Sequence, residues 1–201
     1  MYQLYPAEEK MVEDVLLRME RKESEEKEEK WVVFRHPLYD NMVEGSSFGR
    51  LRKFETKEIM IPTPDWKKTG KLHRMEVHLC KNGNDKVFGV HQIILPCFVT
   101  NIDGKPTIDH KDRDPSNNRL SNLRYATRTE QQHNRGKQDD TSSSYIGVSF
   151  DKKHRKWESY ITLKNGQLKH LGFFDNELDA VFTRDLNEVS EWGEFANTNV
   201  L

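Results

Sequence analysis

Apolar residues are in short supply in this chain. Of 201 residues, 34% are hydrophobic and 32% are charged, which excludes one large core and favours several small modules with modest cores of their own. No apolar run approaches the roughly 20 residues that span a bilayer, and the amino terminus lacks the charged-then-hydrophobic layout of a signal peptide. A soluble, intracellular protein of the cytoplasm, with no membrane partner, is expected. Cysteine is scarcer: only Cys80 and Cys97 occur. They are too far apart for a C-x-x-C knuckle, and no other thiol exists to complete a thiolate zinc site, so both are expected to be buried and reduced. Net charge is nearly absent too, at −1, which at first sight argues against a nucleic-acid partner.

The charge is unevenly placed. Residues 1–30 hold ten acidic and six basic side chains, leaving the chain from Trp31 onward with a net of +3. From Lys111 to Lys137 there are seven Lys or Arg against three Asp or Glu, the balance expected where phosphates are contacted. Such side chains position DNA without reading its sequence. In the acidic segment, Met11, Val12, Val15, Leu16 and Met19 recur at helical spacing. They predict a charged helix over residues 7–30, docked by its first three turns and otherwise solvated. Its functional alternatives are an arm through which a homodimer forms and a mask over a basic groove.

The chemistry concentrates in Pro106–Arg135, PTIDHKDRDPSNNRLSNLRYATRTEQQHNR. A short β-type run, Thr107-Ile108, delivers Asp109 and His110 to a loop of Asp, Pro, Ser and Asn, whose side chains satisfy their own backbone in turns. Leu123–Ala126 returns the chain as a second strand. Thr127 and Glu130 then form an S/T-x-x-E capping box that starts a helix. Asp109 is a hard oxygen ligand for a divalent cation, and an imidazole of near-neutral pKa such as His110 can take a proton from water. One cation can polarise a scissile phosphate while the neighbouring base makes the nucleophile. The pattern suits metal-assisted phosphodiester hydrolysis with a single Mg²⁺ or Mn²⁺.

The order DH, SNL, RYATRTEQQHN, together with the loop length from His110 to Asn122, resembles the HNH endonucleases (ββα-metal, His-Me finger), in particular the phage homing type. The resemblance implies that His110 is the general base, that Asp109 is a metal ligand and that Asn122 ties the loop down so that His110 points correctly. The family's second metal ligand is usually Asn or His; that position here is Gln131, whose carbonyl oxygen can ligate from one methylene further out. Helical spacing puts Asn134 and Arg135 on the same side as Gln131, making Asn134 the second candidate for this ligand and His133 the third. Candidate DNA contacts in this stretch are Lys111, Arg113, Arg119, Arg124, Arg128 and Arg135.

Upstream, WVVF, SSFGRLRKF, EIMIP and HRMEVHLCKNGNDKVFGVHQIIL read as short β segments, and KNGND is a hairpin turn between MEVHLC and KVFGV. By resemblance, residues 31–100 form the small β module that precedes the nuclease motif in phage HNH proteins, with SFGR as a recurrent feature. His91 opens a short apolar helix that packs behind the catalytic strands through Ile93, Ile94 and Phe98. The family more often has Arg where Gln92 stands. His73 and His78 fit strand alternation and need no functional role.

Residues 136–144, GKQDDTSSS, are a polar linker. Beyond it, YIGVSF, KWESYITL and LKHLGFF predict three antiparallel strands, with turns at Asp151 to Arg155 and at Asn165-Gly166. A helix follows, capped by Asp175 or Asn176, with Leu178, Val181, Phe182, Leu186 and Val189 on one face. YIGVSF, KWESYI, LGFF and GEFAN resemble the AP2 DNA-binding domain, which implies a sheet face set into a major groove. Lys152, Lys156, Tyr160 and Lys164 are the candidate contacts, the last three sharing one face by strand alternation; Trp157 has the opposite parity, and two placements stay open for it, in the core or reaching the groove. The whole is expected to be an α+β protein of small modules: helix 1–30, β module 31–100, ββα nuclease motif 101–135, linker 136–144 and AP2-like domain 145–201. The activity expected is that of a DNA endonuclease acting on double-stranded DNA; the alternative is a catalytically degenerate DNA-binding or regulatory protein.

Overall fold

The structure, a computed structural model, describes residues 28–134 and 142–201. The charged helix expected over residues 7–30 therefore lies outside the described residues except for its last three positions, as do Arg135 and most of the 136–144 linker. The described chain divides into two compact units on either side of Gln131. No helix among the described residues is long and apolar enough to cross a membrane.

The first unit opens with an antiparallel sheet of β1 (Trp31–Val33), β2 (Val43–Ser46), β3 (Leu51–Lys53) and β4 (Ile59–Met60), in that spatial order. The single strand expected from SSFGRLRKF is broken, because Gly49 turns the chain at φ +82° between β2 and β3. A second antiparallel sheet comprises β5 (Thr63–Trp66), β6 (Leu72–Lys81) and β7 (Asn84–Gly89). The turn between β6 and β7 holds Asn82 and Gly83 at φ 51° and 77°, the two left-handed residues that match strand twist in a tight hairpin.

Gly89 leads into α1 (Val90–Phe98), which lays Ile93, Ile94 and Leu95, each at most 1% exposed, into a core with Phe34, Tyr39, Val43, Leu51, Val77, Leu79 and Phe88. Leu95 is buried here and Phe98 only half-buried, so Leu95 takes the packing role expected of Phe98. Burial of each such side chain stabilises the unit by about 1.5–3 kcal/mol relative to exposure. The two-stranded sheet of β8 (Thr107–His110) and β9 (Leu123–Ala126) joins this core through Leu123. After it comes α2 (Arg128–His133).

The second unit holds β10 (Val148–Asp151), β11 (Lys156–Thr162) and β12 (Leu168–Phe174) as one antiparallel sheet, with α3 (Glu177–Trp192) packed on one face. Asn176 caps α3, its Oδ1 accepting from the Leu178 amide at 2.9 Å. The buried set is not the expected apolar stripe. Val181 and Leu186 are buried, but Leu178 is 46% exposed, and Arg184, Asp185 and Glu188 are buried instead. The charges serve the end of the chain. Asp185 accepts from the amides of Asn199 and Val200 at 2.7 and 2.8 Å, and the Asn197 amide donates to Glu188 at 3.2 Å. Of the two placements open to Trp157, the structure shows the core one: it packs with Val148 and Val181.

The cysteines depart from expectation in part. Both are free, but Cys80 is exposed, because Val77 and Leu79 take the buried parity of β6. Cys97 is half-buried, and burial pushes its thiol up to about 11.

Candidate active site

β8 and β9 pair so that Asp109 faces Arg124 and His110 faces Leu123. Asp109 is 5% exposed, and its Oδ2 accepts from Arg124 Nε at 3.0 Å and Nη2 at 2.8 Å. Arg124 is itself 9% exposed. The expectation that it contacts DNA is therefore corrected: it neutralises a buried carboxylate inside the unit, where pairing is what makes a buried charge tolerable.

The loop between the strands is built from its own polar side chains. Asn122 Nδ2 donates to Asp112 Oδ1 at 2.8 Å and to the Asn117 carbonyl at 2.7 Å, while the Asp112 amide donates to Asn122 Oδ1 at 3.0 Å. Asp114 accepts from the amide and hydroxyl of Ser116 at 2.8 and 2.7 Å, and these bonds hold its carboxyl below the usual carboxylate range. Nε2 of His110 lies 3.2 Å from Asn118 Oδ1. Asn118 is 5% exposed. No rule of spacing singled it out, because Asn117 and Asn118 look alike in sequence.

His91, the second residue of α1, packs its ring edge-to-face against His110 with centroids 5.2 Å apart. Burial, and then the charge of His110, lower its pKa from 6.5 to about 4, so at neutral pH the ring is uncharged. The helix that packs behind the catalytic strands thus brings a second imidazole to the site.

The helix start is as its sequence suggests: the Glu130 amide donates to Thr127 Oγ1 at 3.2 Å, and the Thr127 amide to Glu130 Oε2 at 2.6 Å. Exposed Gln131 donates from Nε2 to the Ile108 carbonyl at 3.2 Å, one residue before Asp109. With its amide nitrogen so engaged, the side chain's other terminal atom is a carbonyl oxygen. Asp109 and Gln131 each carry a hard oxygen of the kind Mg²⁺ or Mn²⁺ accepts, ions that keep several waters and complete their shell with substrate phosphate. No cluster of three or more His, Cys, Asp or Glu able to hold a metal occurs among the described residues.

The other ligand candidates fall elsewhere. α2 ends at His133, so Asn134 lies past the helix and the i+3 spacing from Gln131 is not carried through. His133 stacks on Trp192 with ring centroids 3.6 Å apart and pairs with buried Glu188, which occupies it in the second unit. Of the candidate DNA contacts in the first unit, Arg113, Arg119 and Arg128 are exposed, Arg119 lying over the Phe48 ring at 4.9 Å. Lys111 Nζ donates to the Ser121 carbonyl.

In the second unit Lys156 and Tyr160 lie on the sheet face opposite that of Ser159 and Ile161, which are buried against α3. Lys164 does not join them. β11 stops at Thr162, and the Lys164 amide donates to Glu191 at 2.9 Å, in the turn. Lys152 is exposed in the preceding turn. The face is less basic than its lysines suggest, because Glu158 pairs with His170 at 3.4 Å and Lys156 with Asp175 at 3.3 Å.

Residues 88–133 match the family model described as HNH endonuclease. The match spans the last two residues of β7, then α1, the β8–β9 hairpin and α2. Among solved structures, one described as "DNA binding and cleavage by the HNH homing endonuclease I-HmuI" is similar at 22% identity, with a TM-score of 0.42 over 70% of this chain and 76% of that chain. No curated protein matches.

Proposed function

We propose that this protein is a metal-dependent DNA endonuclease of the HNH kind, hydrolysing phosphodiester bonds in double-stranded DNA. The observation that carries this reading is the ββα arrangement itself, in which one hairpin and one short helix hold Asp109, His110 and Gln131 within a segment that matches the HNH endonuclease model. His110 takes the proton of the attacking water. Asp109 and Gln131 hold one Mg²⁺ or Mn²⁺, which when bound supplies charge stabilisation for the phosphate and the leaving oxygen. Asn122 keeps the loop closed around the Asp112 amide and carboxylate, so that His110 meets the substrate from a fixed backbone.

Arg113, Arg119 and Arg128 contact DNA phosphates, and the second unit, read as an AP2-like module, adds contacts through Lys152, Lys156 and Tyr160. One centre per chain gives a nick; a double-strand break requires two chains, for which the segment before Trp31 is the proposed dimerisation arm. The likeness of the motif to the phage homing type adds a homing role, in a phage-infected or bacterial cell, to this proposal, with restriction or defence as the other role the same chemistry serves. One observation favours a second reading, a DNA-binding protein that no longer cuts: the Asp109 carboxylate is already paired with Arg124. A supercoiled-plasmid assay with Mg²⁺, Mn²⁺ or EDTA separates the two. Metal-dependent relaxed circles that vanish in Asp109→Ala and His110→Ala support the nuclease; a gel shift without cutting under any metal supports the binding protein.

A further inference from the structure

Asn118 touches both the SFGR turn and the His110 imidazole. Its amide is oriented by two bonds, Nδ2 donating to the Ser116 carbonyl at 3.0 Å and Oδ1 facing His110 Nε2 at 3.2 Å. A carbonyl can only accept, so the Ser116 bond settles which end of the amide faces the imidazole. An acceptor opposite Nε2 calls for a hydrogen on Nε2, and in the neutral ring the lone pair then belongs to Nδ1.

Asn118 is in turn fixed from behind. Gly49 sits at φ +82°, and a Cβ there would lie 2.5 Å from the Asn118 carbonyl carbon and 2.8 Å from the Arg119 nitrogen. Only glycine permits that approach and that backbone angle together. Beside it the Leu120 amide donates to the Ser47 carbonyl at 2.9 Å, and Arg119 covers the Phe48 ring. The SFGR residues are thus a wedge against the loop that holds the imidazole.

We infer that Asn118, held by the Gly49 turn, is a positioning residue that keeps His110 as its Nε2–H tautomer and presents Nδ1 as the proton-accepting atom. The inference rests on the reading of His110 as general base. A base in the wrong tautomer has a hydrogen where its lone pair is needed, so chemistry is lost although every group is in place.

The test is ¹⁵N NMR of the full-length labelled protein, with the His110 signals assigned by their absence in His110→Ala. The wild type shows a proton on His110 Nε2 in slow exchange with water, and Asn118→Ala loses that signal. In the same variant the turnover of plasmid cleavage falls about ten- to hundredfold with DNA affinity unchanged. Asn118→Asp, which retains an oxygen acceptor, keeps the Nε2–H signal. A proton found on Nδ1 in the wild type, or a signal unchanged in Asn118→Ala, overturns the inference. If Asn118→Ala does not fold, Gly49→Ala displaces the residue from behind and has to produce the same loss; persistence of the signal there overturns it equally. A wild-type protein with the Nε2–H signature that cuts no plasmid refutes the nuclease reading and leaves the positioning assignment standing.

Discussion

Asp109 and Asp185 are both buried carboxylates beside an arginine, at 5% and 0% exposure, yet they are placed among different neighbours. Asp185 accepts from Arg184 and, at 2.7–3.0 Å, from the amides of Asn199 and Val200 and the Asn199 side chain. The Asn199 and Val200 donors pin the end of the chain against α3. Asp109 accepts from Arg124 Nε and Nη2 on Oδ2 and is followed in sequence by an imidazole, on a strand that leads into a loop of polar side chains. A buried ion pair alone therefore says little about function, since such pairs occur for purely structural reasons. The adjacent titratable group and the polar loop that orients it are what set the first apart.

The sharpest way to break this comparison is His110→Ala, expected to lower metal-dependent plasmid nicking by about 10²–10⁴-fold while leaving the thermal midpoint and DNA affinity as they are. Asp185→Ala should do the converse. The substitution takes the acceptor from the Asn199 and Val200 amides and one of two carboxylate partners from Arg184, which keeps Glu188; each buried donor left unsatisfied costs about 1–3 kcal/mol, read as a lower denaturant midpoint for the second unit. Little change is expected in the catalytic turnover of the protein that remains folded.

Next in size is a pH effect from His91. Its folded pKa, about 4, lies below the ordinary 6.5, so the unfolded chain binds the extra proton first. Stability is complete above about pH 6.5 and is lost as pH falls toward 4, by about 3 kcal/mol in all. Urea unfolding between pH 7 and pH 4 measures it, and His91→Phe should flatten that slope; an equal slope in the variant would remove His91 as its source.

Gln131→Ala is expected to weaken Mg²⁺ or Mn²⁺ dependence by about 10–100-fold, read as a shift of the metal concentration at half-maximal cleavage, consistent with loss of one metal-holding contact. The smallest effect separates two lysines. Lys156→Ala should weaken DNA binding and reduce the salt slope by about one, whereas Lys164→Ala, in the turn beyond β11, should leave both unchanged in a binding titration.

Much of the local structure is legible in the sequence. Turn pairs such as Asn82-Gly83, the Thr127/Glu130 box and the Asn176 cap are decided by side chains that bond to their own backbone within a few residues. Strand Leu123–Ala126 and the KNGND hairpin follow from alternation and turn chemistry in the same way. The errors fall where a distant partner decides. The basic run around Arg124 points to DNA, but cross-strand register gives this arginine to Asp109. Asn134 was placed by helical spacing in a helix that ends at His133, and Lys164 by strand alternation in a strand that ends at Thr162.

Composition, spacing and side-chain chemistry in the sequence determined that this chain builds small α+β modules and that Asp109 and His110 arrive together at the end of a strand. They also determined that a capped helix follows within twenty residues. The tertiary structure alone decided which charge meets which: Arg124 on Asp109, His133 on Glu188, and Asn118 on His110 with Gly49 behind it. The physical reason is range. Turn and cap preferences are set by neighbours along the chain, whereas the partner of a buried polar group depends on register and close approach between segments far apart in sequence, and a formula of residue types carries no distances between them.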